Sequence, residues 1–157
     1  MSDRILVIPS GGPAVEEYRF ARASKRLDCE FVFSDLSETA DLKDAANEWK
    51  KWFIKNGTEF DAVWTNDYRH EMAAIGDTLR EASGARIIAD IDDYFSNVPS
   101  GNQASAAWHG ARKRQYSQLI EDADSVLVST PWLSETYGGI VAPNFADLDE
   151  WSGPKRV

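Results

Sequence analysis

Ile5-Leu6-Val7-Ile8 is a short, unbroken apolar run, bounded by Arg4 and Pro9. Such a run reads as a strand buried on both faces, the kind found inside a parallel sheet. Ser10-Gly11-Gly12-Pro13 breaks it. A helix is expected from about Ala14, with Glu16 and Glu17 in its first turn, where the helix dipole favours acids. The basic segment from Arg22 to Arg26 falls near its end, again with the favourable sign. The same alternation continues outward. Phe31-Val32-Phe33, Phe60 to Thr65, Arg86 to Ile91, Ser125 to Ser129 and Ile140-Val141-Ala142 read as further strands. Leu42, Ala45, Ala46, Trp49, Trp52 and Phe53 keep the spacing of one helical face, and Asn56-Gly57 closes that helix. Met72, Ile75, Leu79 and Ala82 mark another, ended by Gly84. Trp108 to about Ala123 is the next. Thr130-Pro131, a capping residue followed by a proline in the first turn, starts a short helix that Gly138-Gly139 ends. Asp92 to about Ala106 has no period and is long for a connection, which points to a functional or mobile loop.

Short apolar strands alternating with helices imply a parallel sheet covered on both faces. Right-handed crossovers then give an α/β, Rossmann-like, doubly wound domain with a mostly parallel six-stranded sheet in the order 3-2-1-4-5-6. Residues 1–145 form this domain, and 146–157 read as a tail or the start of an interdomain linker.

Composition narrows the function. The chain has 157 residues and is 43% hydrophobic, enough for one domain to fold without covalent staples. Its one cysteine, Cys29, excludes an internal disulfide and a cysteine-based zinc site. A net charge of −9 is the wrong balance for a binder of nucleic-acid backbones. No apolar run approaches a membrane span, and the N-terminal run is too short for a signal-peptide core, so a cytoplasmic protein is expected.

Ligands of an open parallel sheet bind outside the carboxyl ends of its strands, and four such ends carry suggestive residues. Gly11 and Gly12 precede a helix and could bring backbone N–H groups to an anion, although neither a dinucleotide fingerprint nor a Walker A loop is present. Asp35 could meet a ribose, but lacks that fingerprint. Asp90-Ile91-Asp92-Asp93 sets three acids around one strand end; they suit a metal or the hydroxyls of a sugar, or else a helix cap or a solvated loop paired with Arg86 or Arg112. Asn66 to His70 suits a helix cap or a ligand contact. Thr130 reads fully as a cap, and Asn144 after Pro143 suits a turn. His70 and His109 have no matching carboxylate spacing and are no metal signature, which leaves Asp90, Asp92 and Asp93 as the acids of a metal-dependent alternative.

Taken together, these segments resemble the N-terminal half of GT-B glycosyltransferases, family-4-like ones of bacteria and phages in particular. The resemblance rests on Arg4 to Gly12, on Ile88 to Asp93, on Ala123 to Leu133 and on Val141 to Phe145 with Asp147 and Trp151. It implies sugar transfer from a nucleotide-sugar donor to an acceptor, with no resident cofactor or metal. It also implies that the chain stops where a second domain should begin, so that activity needs a separate C-terminal domain. Asp92 or His109 would act on the acceptor hydroxyl. Gly11, Gly12, Asp90, Asp93, Thr130 and Asn144 would contact ligands. Trp108, Trp132 and Trp151 lie in or beside segments that such a half leaves uncovered, so association is expected, as a homodimer or with a second-domain chain. The competing expectation is a non-catalytic Rossmann-like module for binding or interaction.

Overall fold

In the computed structural model the described residues are 3–9, 16–33, 51, 60–66, 80–81, 84–102 and 110–144. Six strands run through them: β1 (Arg4–Ile8), β2 (Glu30–Phe33), β3 (Ala62–Thr65), β4 (Arg86–Ile91), β5 (Ser125–Val128) and β6 (Ile140–Val141). Helix α1 is wound as a π-helix over Glu16–Ala21 and as an α-helix over Arg22–Ser24. Helices α2 (Gly110–Asp122) and α3 (Pro131–Tyr137) follow. The helix expected over Leu42 to Phe53, with its Asn56-Gly57 stop, lies outside the described residues. So does most of the one expected over Met72 to Ala82. No helix among the described residues is long and apolar enough to cross a membrane.

All the strand pairings are parallel, which confirms the α/β reading. The order is β2-β1-β3-β4-β5-β6, not 3-2-1-4-5-6. Burial explains the difference. Every residue of β3 is buried, whereas β2 begins at exposed Glu30 and continues with half-buried residues. A strand of the first kind belongs inside a sheet and one of the second at its edge. Thus β3 sits between β1 and β4, and β2 is the edge.

Successive side chains of each strand point to opposite faces, and two apolar clusters follow from that alternation. On one face Ile5, Val7, Ala62 and Trp64 pack with Phe20 and Ala23 of α1. Phe20 is fully buried and meets the Trp64 ring edge-on at 5.0 Å. On the other face Ile87, Ala89, Ile91 and Val128 pack with Tyr116 and Leu119 of α2, Leu133 of α3, and Phe95.

At the amino ends of the strands, two acids fix the alignment. Asp61 accepts the backbone N–H of Arg4 at 2.7 Å, and Asp124 accepts that of Ile87 at 2.7 Å. Asp124 also takes Arg80 at 2.7 Å, and these hydrogen bonds hold its carboxyl below the ordinary range. The helix signals act as read. The Thr130 hydroxyl accepts the Leu133 N–H at 3.2 Å, with Pro131 in the first turn. The Gly84 N–H reaches the Arg80 carbonyl at 2.9 Å with φ 70°, and Gly138 and Gly139 take φ 76° and 97°.

At Gly139 a Cβ would also come within 2.6 Å of the Val126 carbonyl oxygen on β5. Gly139→Ala is expected to lose about 1–3 kcal/mol, read as a lower urea midpoint with an unchanged slope. Gly101→Ala, where the added carbon meets nothing within 4 Å, should stay within about 0.5 kcal/mol of the parent.

Candidate functional site

The ligand crevice of an open parallel sheet opens where the winding reverses. The observed strand order puts that reversal between β1 and β3, not between the first and fourth strands. At this point the Thr65 hydroxyl donates to the Ile8 carbonyl at 2.9 Å, and the next residue, Asn66, is buried. Gly11 and Gly12, which follow β1, and residues 67–70, which follow β3, lie outside the described residues. His109 does too.

Next to β3 in the sheet, β4 carries Asp90 and ends just before Asp92. Asp90 is fully buried on the α1 face of the sheet. Its Oδ1 is ion-paired with Nη2 of Arg19, which is itself only 4% exposed. Its Oδ2 accepts Trp64 Nε1–H at 2.9 Å. The other terminal nitrogen of Arg19 donates to the Ala142 carbonyl at 2.6 Å and to Asn144 Oδ1 at 3.1 Å. One guanidinium therefore joins α1, β4 and the segment after β6. It brings together two of the expected ligand residues, Asp90 and Asn144. Neither Arg19 nor Trp64 stood out in the sequence as a polar group of the site. The ion-pair partner of Asp90 is Arg19 and not Arg86, which lies 3.9 Å from Asp3 at the opposite end of the sheet. An arginine six residues beyond the glycine-rich break was the available signal, but basic residues on a helix usually face solvent.

Burial pushes the Asp90 carboxyl up to about 6, against the pull of the Arg19 charge and the hydrogen bonds from Arg19 and Trp64. Asp92, two residues on and half-buried, is also raised, first by desolvation and then by the neighbouring charge of Asp93; Arg19 opposes both. Asp93 is exposed. Asp92 is therefore the carboxylate of this strand end that is both partly open and raised in its affinity for a proton. Among the described residues no cluster of three histidine, cysteine or acidic groups could hold a metal ion.

The loop after β4 is pinned where it is described. Phe95 is 2% exposed and stacks on Tyr137 at 4.8 Å. The Tyr137 hydroxyl accepts the Phe95 and Ser96 N–H groups at 3.2 and 3.3 Å. The Ser129 hydroxyl donates to the Asp92 carbonyl at 3.0 Å. Trp132 is 53% exposed beside Tyr94, its ring 4.9 Å away and edge-on. Trp108 and Trp151 lie outside the described residues.

No sequence family matches the chain, and no curated protein does. In structure the chain is similar to a candidate phosphomethylpyrimidine kinase from Bacteroides thetaiotaomicron, solved with pyridoxal. The TM-score is 0.56 at 15% identity over 94% of this chain, which spans 55% of that one. This likeness concerns the fold. It does not carry the expected kinship with GT-B glycosyltransferases, because the similar structure is a candidate kinase and the strand order is not 3-2-1-4-5-6. The blocks behind that expectation have structural occupations instead. Asp90 and Asn144 hold Arg19, Asp124 holds the start of β4, and Thr130 caps α3. The reading as half of a sugar transferase is accordingly withdrawn. With it go the nucleotide-sugar donor, the sugar acceptor, and the completing domain or homodimer.

Two outcomes follow from the buried pair. Arg19→Met strands Asp90 and should cost about 3–5 kcal/mol in urea denaturation, while Arg19→Met with Asp90→Leu should regain most of that loss. In a carboxyl-carbon NMR titration, Asp90 should change near pH 6 and not near its ordinary 3.8. Its folded value lies above the unfolded one, so the folded state binds the proton more tightly. The stability Asp90 contributes is then complete below 3.8 and is lost as the pH rises through about 6.

Proposed function

We propose that the domain, residues 1–145, binds a small hydroxyl-bearing molecule at the carboxyl ends of β4 and β5 and takes part in transfer of a phosphoryl group to it. The observation that carries this reading is Asp92, a carboxylate at a strand end whose proton affinity burial has raised. In such a transfer the substrate hydroxyl oxygen attacks the terminal phosphorus of a nucleoside triphosphate. Asp92 takes the hydroxyl proton, and the nucleoside diphosphate leaves. The fold likeness to a candidate kinase supports the same class of chemistry. The Trp132 and Tyr94 rings, close to the same strand ends, offer a face for a planar substrate. A cytoplasmic site of action suits a reaction fed by nucleoside triphosphate.

The test is release of nucleoside diphosphate from its magnesium triphosphate, with pyridoxal and a hydroxymethylpyrimidine as trial acceptors. Turnover that depends on the acceptor, and that falls about 100-fold or more in Asp92→Asn while the protein stays folded, is the expected result. Acceptor binding without any phosphoryl transfer would overturn the catalytic reading.

A further inference from the structure

Tyr94 and Trp132 form an open aromatic corner past the carboxyl ends of β4 and β5. They are 37% and 53% exposed, and their rings meet edge-on with centroids 4.9 Å apart, an arrangement that leaves ring face uncovered. The corner is held from both sides. The Ser129 N–H and hydroxyl donate to the Ile91 and Asp92 carbonyls, each at 3.0 Å, and Thr130 then caps α3, which carries Trp132 in its first turn. The Tyr137 hydroxyl accepts the N–H groups just beyond Tyr94, and its ring lies 6.1 Å from that of Tyr94. The loop after β4 and the start of α3 are thus fixed to one another, and the two rings keep their angle without a ligand.

The charge around this corner is the second observation. Asp92 and Asp93 directly precede Tyr94, and Glu135 stands three residues after Trp132, on the same side of α3. Asp93 and Glu135 are exposed. Among the described residues none of these three acids is ion-paired with a basic side chain. Arg19 lies toward Asp92 but is paired with Asp90. Lys113, which reaches the loop from α2, donates to the Ser96 carbonyl at 2.9 Å. Acids therefore outnumber bases at the corner. A hard metal ion would need several oxygen ligands at once, and among the described residues no group of three acidic, histidine or cysteine side chains is placed to supply them. An organic cation with its charge spread over a ring or shielded by alkyl groups suits the corner better. Aromatic faces attract such a cation through their quadrupole, and nearby carboxylates add to that attraction.

We infer that the strand-end site takes a small organic cation, its charge on a ring nitrogen or a quaternary nitrogen, seated on Trp132 and Tyr94 with Asp93 and Glu135 as counter-charges. The inference rests on the proposed function for placing the acceptor at this strand end, and it adds the charge of that acceptor. The rings supply orientation and contact. The carboxylates supply selection, since they repel an anion of the same shape.

The experiment uses the full chain and two probes of nearly identical shape, 3-(hydroxymethyl)-1-methylpyridinium and 3-methylbenzyl alcohol, which differ by one positive charge. NMR titration without nucleotide follows the Trp132 indole N–H. The pyridinium should bind about tenfold tighter than the neutral alcohol and move the Trp132 signal. Trp132→Leu should remove most of that preference; if this variant fails to fold, Tyr94→Leu removes the other ring and should do the same. Asp93→Asn, at an exposed position, should reduce the preference about threefold and leave the neutral probe unaffected. Equal binding of the two probes, a stationary Trp132 signal, a preference unchanged by loss of either ring, or no binding at concentrations on the order of 10 mM would overturn the inference. Cation-selective binding without phosphoryl transfer would keep this site and overturn the catalytic reading alone. Phosphoryl transfer to a neutral acceptor with no charge preference in binding would do the reverse.

Discussion

A single arginine sets the terms for the rest of the structure. Arg19 enters the core from α1 and is held at Asp90 of β4 and at the Ala142 and Asn144 positions beyond β6. A buried charge is tolerated only when its partners are in place, so each of these elements must arrive in one position. The ion pair itself adds little net stability compared with a well-packed apolar substitute. What it contributes is alignment: α1 is fixed across β3 and β4, and the chain leaving β6 turns back toward the same face. Trp64 belongs to the same arrangement, since its indole N–H closes the second oxygen of Asp90 while its ring packs on Phe20.

Most of the fold was legible in the sequence. The apolar runs were short and continuous, and each described strand falls within a residue or two of its expected bounds. The Thr130-Pro131 start and the Gly84 and Gly138-Gly139 stops were readable because each has a local cause in a cap, a fixed ring or a positive φ. Strand order was not readable in this way. It depends on which strand is buried on both sides, and Phe31-Val32-Phe33 looks as apolar as Ala62-Val63-Trp64. The distinction came from Glu30 at the start of β2 and from Trp64 reaching Asp90, both properties of neighbours in space.

The site was legible only in part. Asp90 and Asp92 stood out as acids at a strand end, yet their positions divide them. Asp90 points into the core and is engaged by Arg19, while Asp92 sits half-buried at the rim. Two acids two residues apart, one on β4 and one just past its end, give no local hint of such a difference. Likewise Asn144, expected at a ligand or a turn, holds a side chain 125 residues away in sequence. Motifs that resemble a catalytic family can arise from the needs of a fold when caps, strand alignment and buried pairs call for the same residue types.

The long reach of Arg19 also constrains how the chain acquires its structure. Its partners lie 71 and up to 125 residues further along, so no N-terminal fragment that stops before β6 can satisfy the guanidinium. The pairing of the Arg19 guanidinium is therefore completed late, after the entropy of closing very long loops has been met. During synthesis, the apolar face of α1 can pack on β1 and β3 once β3 has emerged, while the guanidinium waits for the chain beyond β6. Until then the partly paired guanidinium is the costly element of the incomplete domain, because a buried charge is tolerated only with its partners in place.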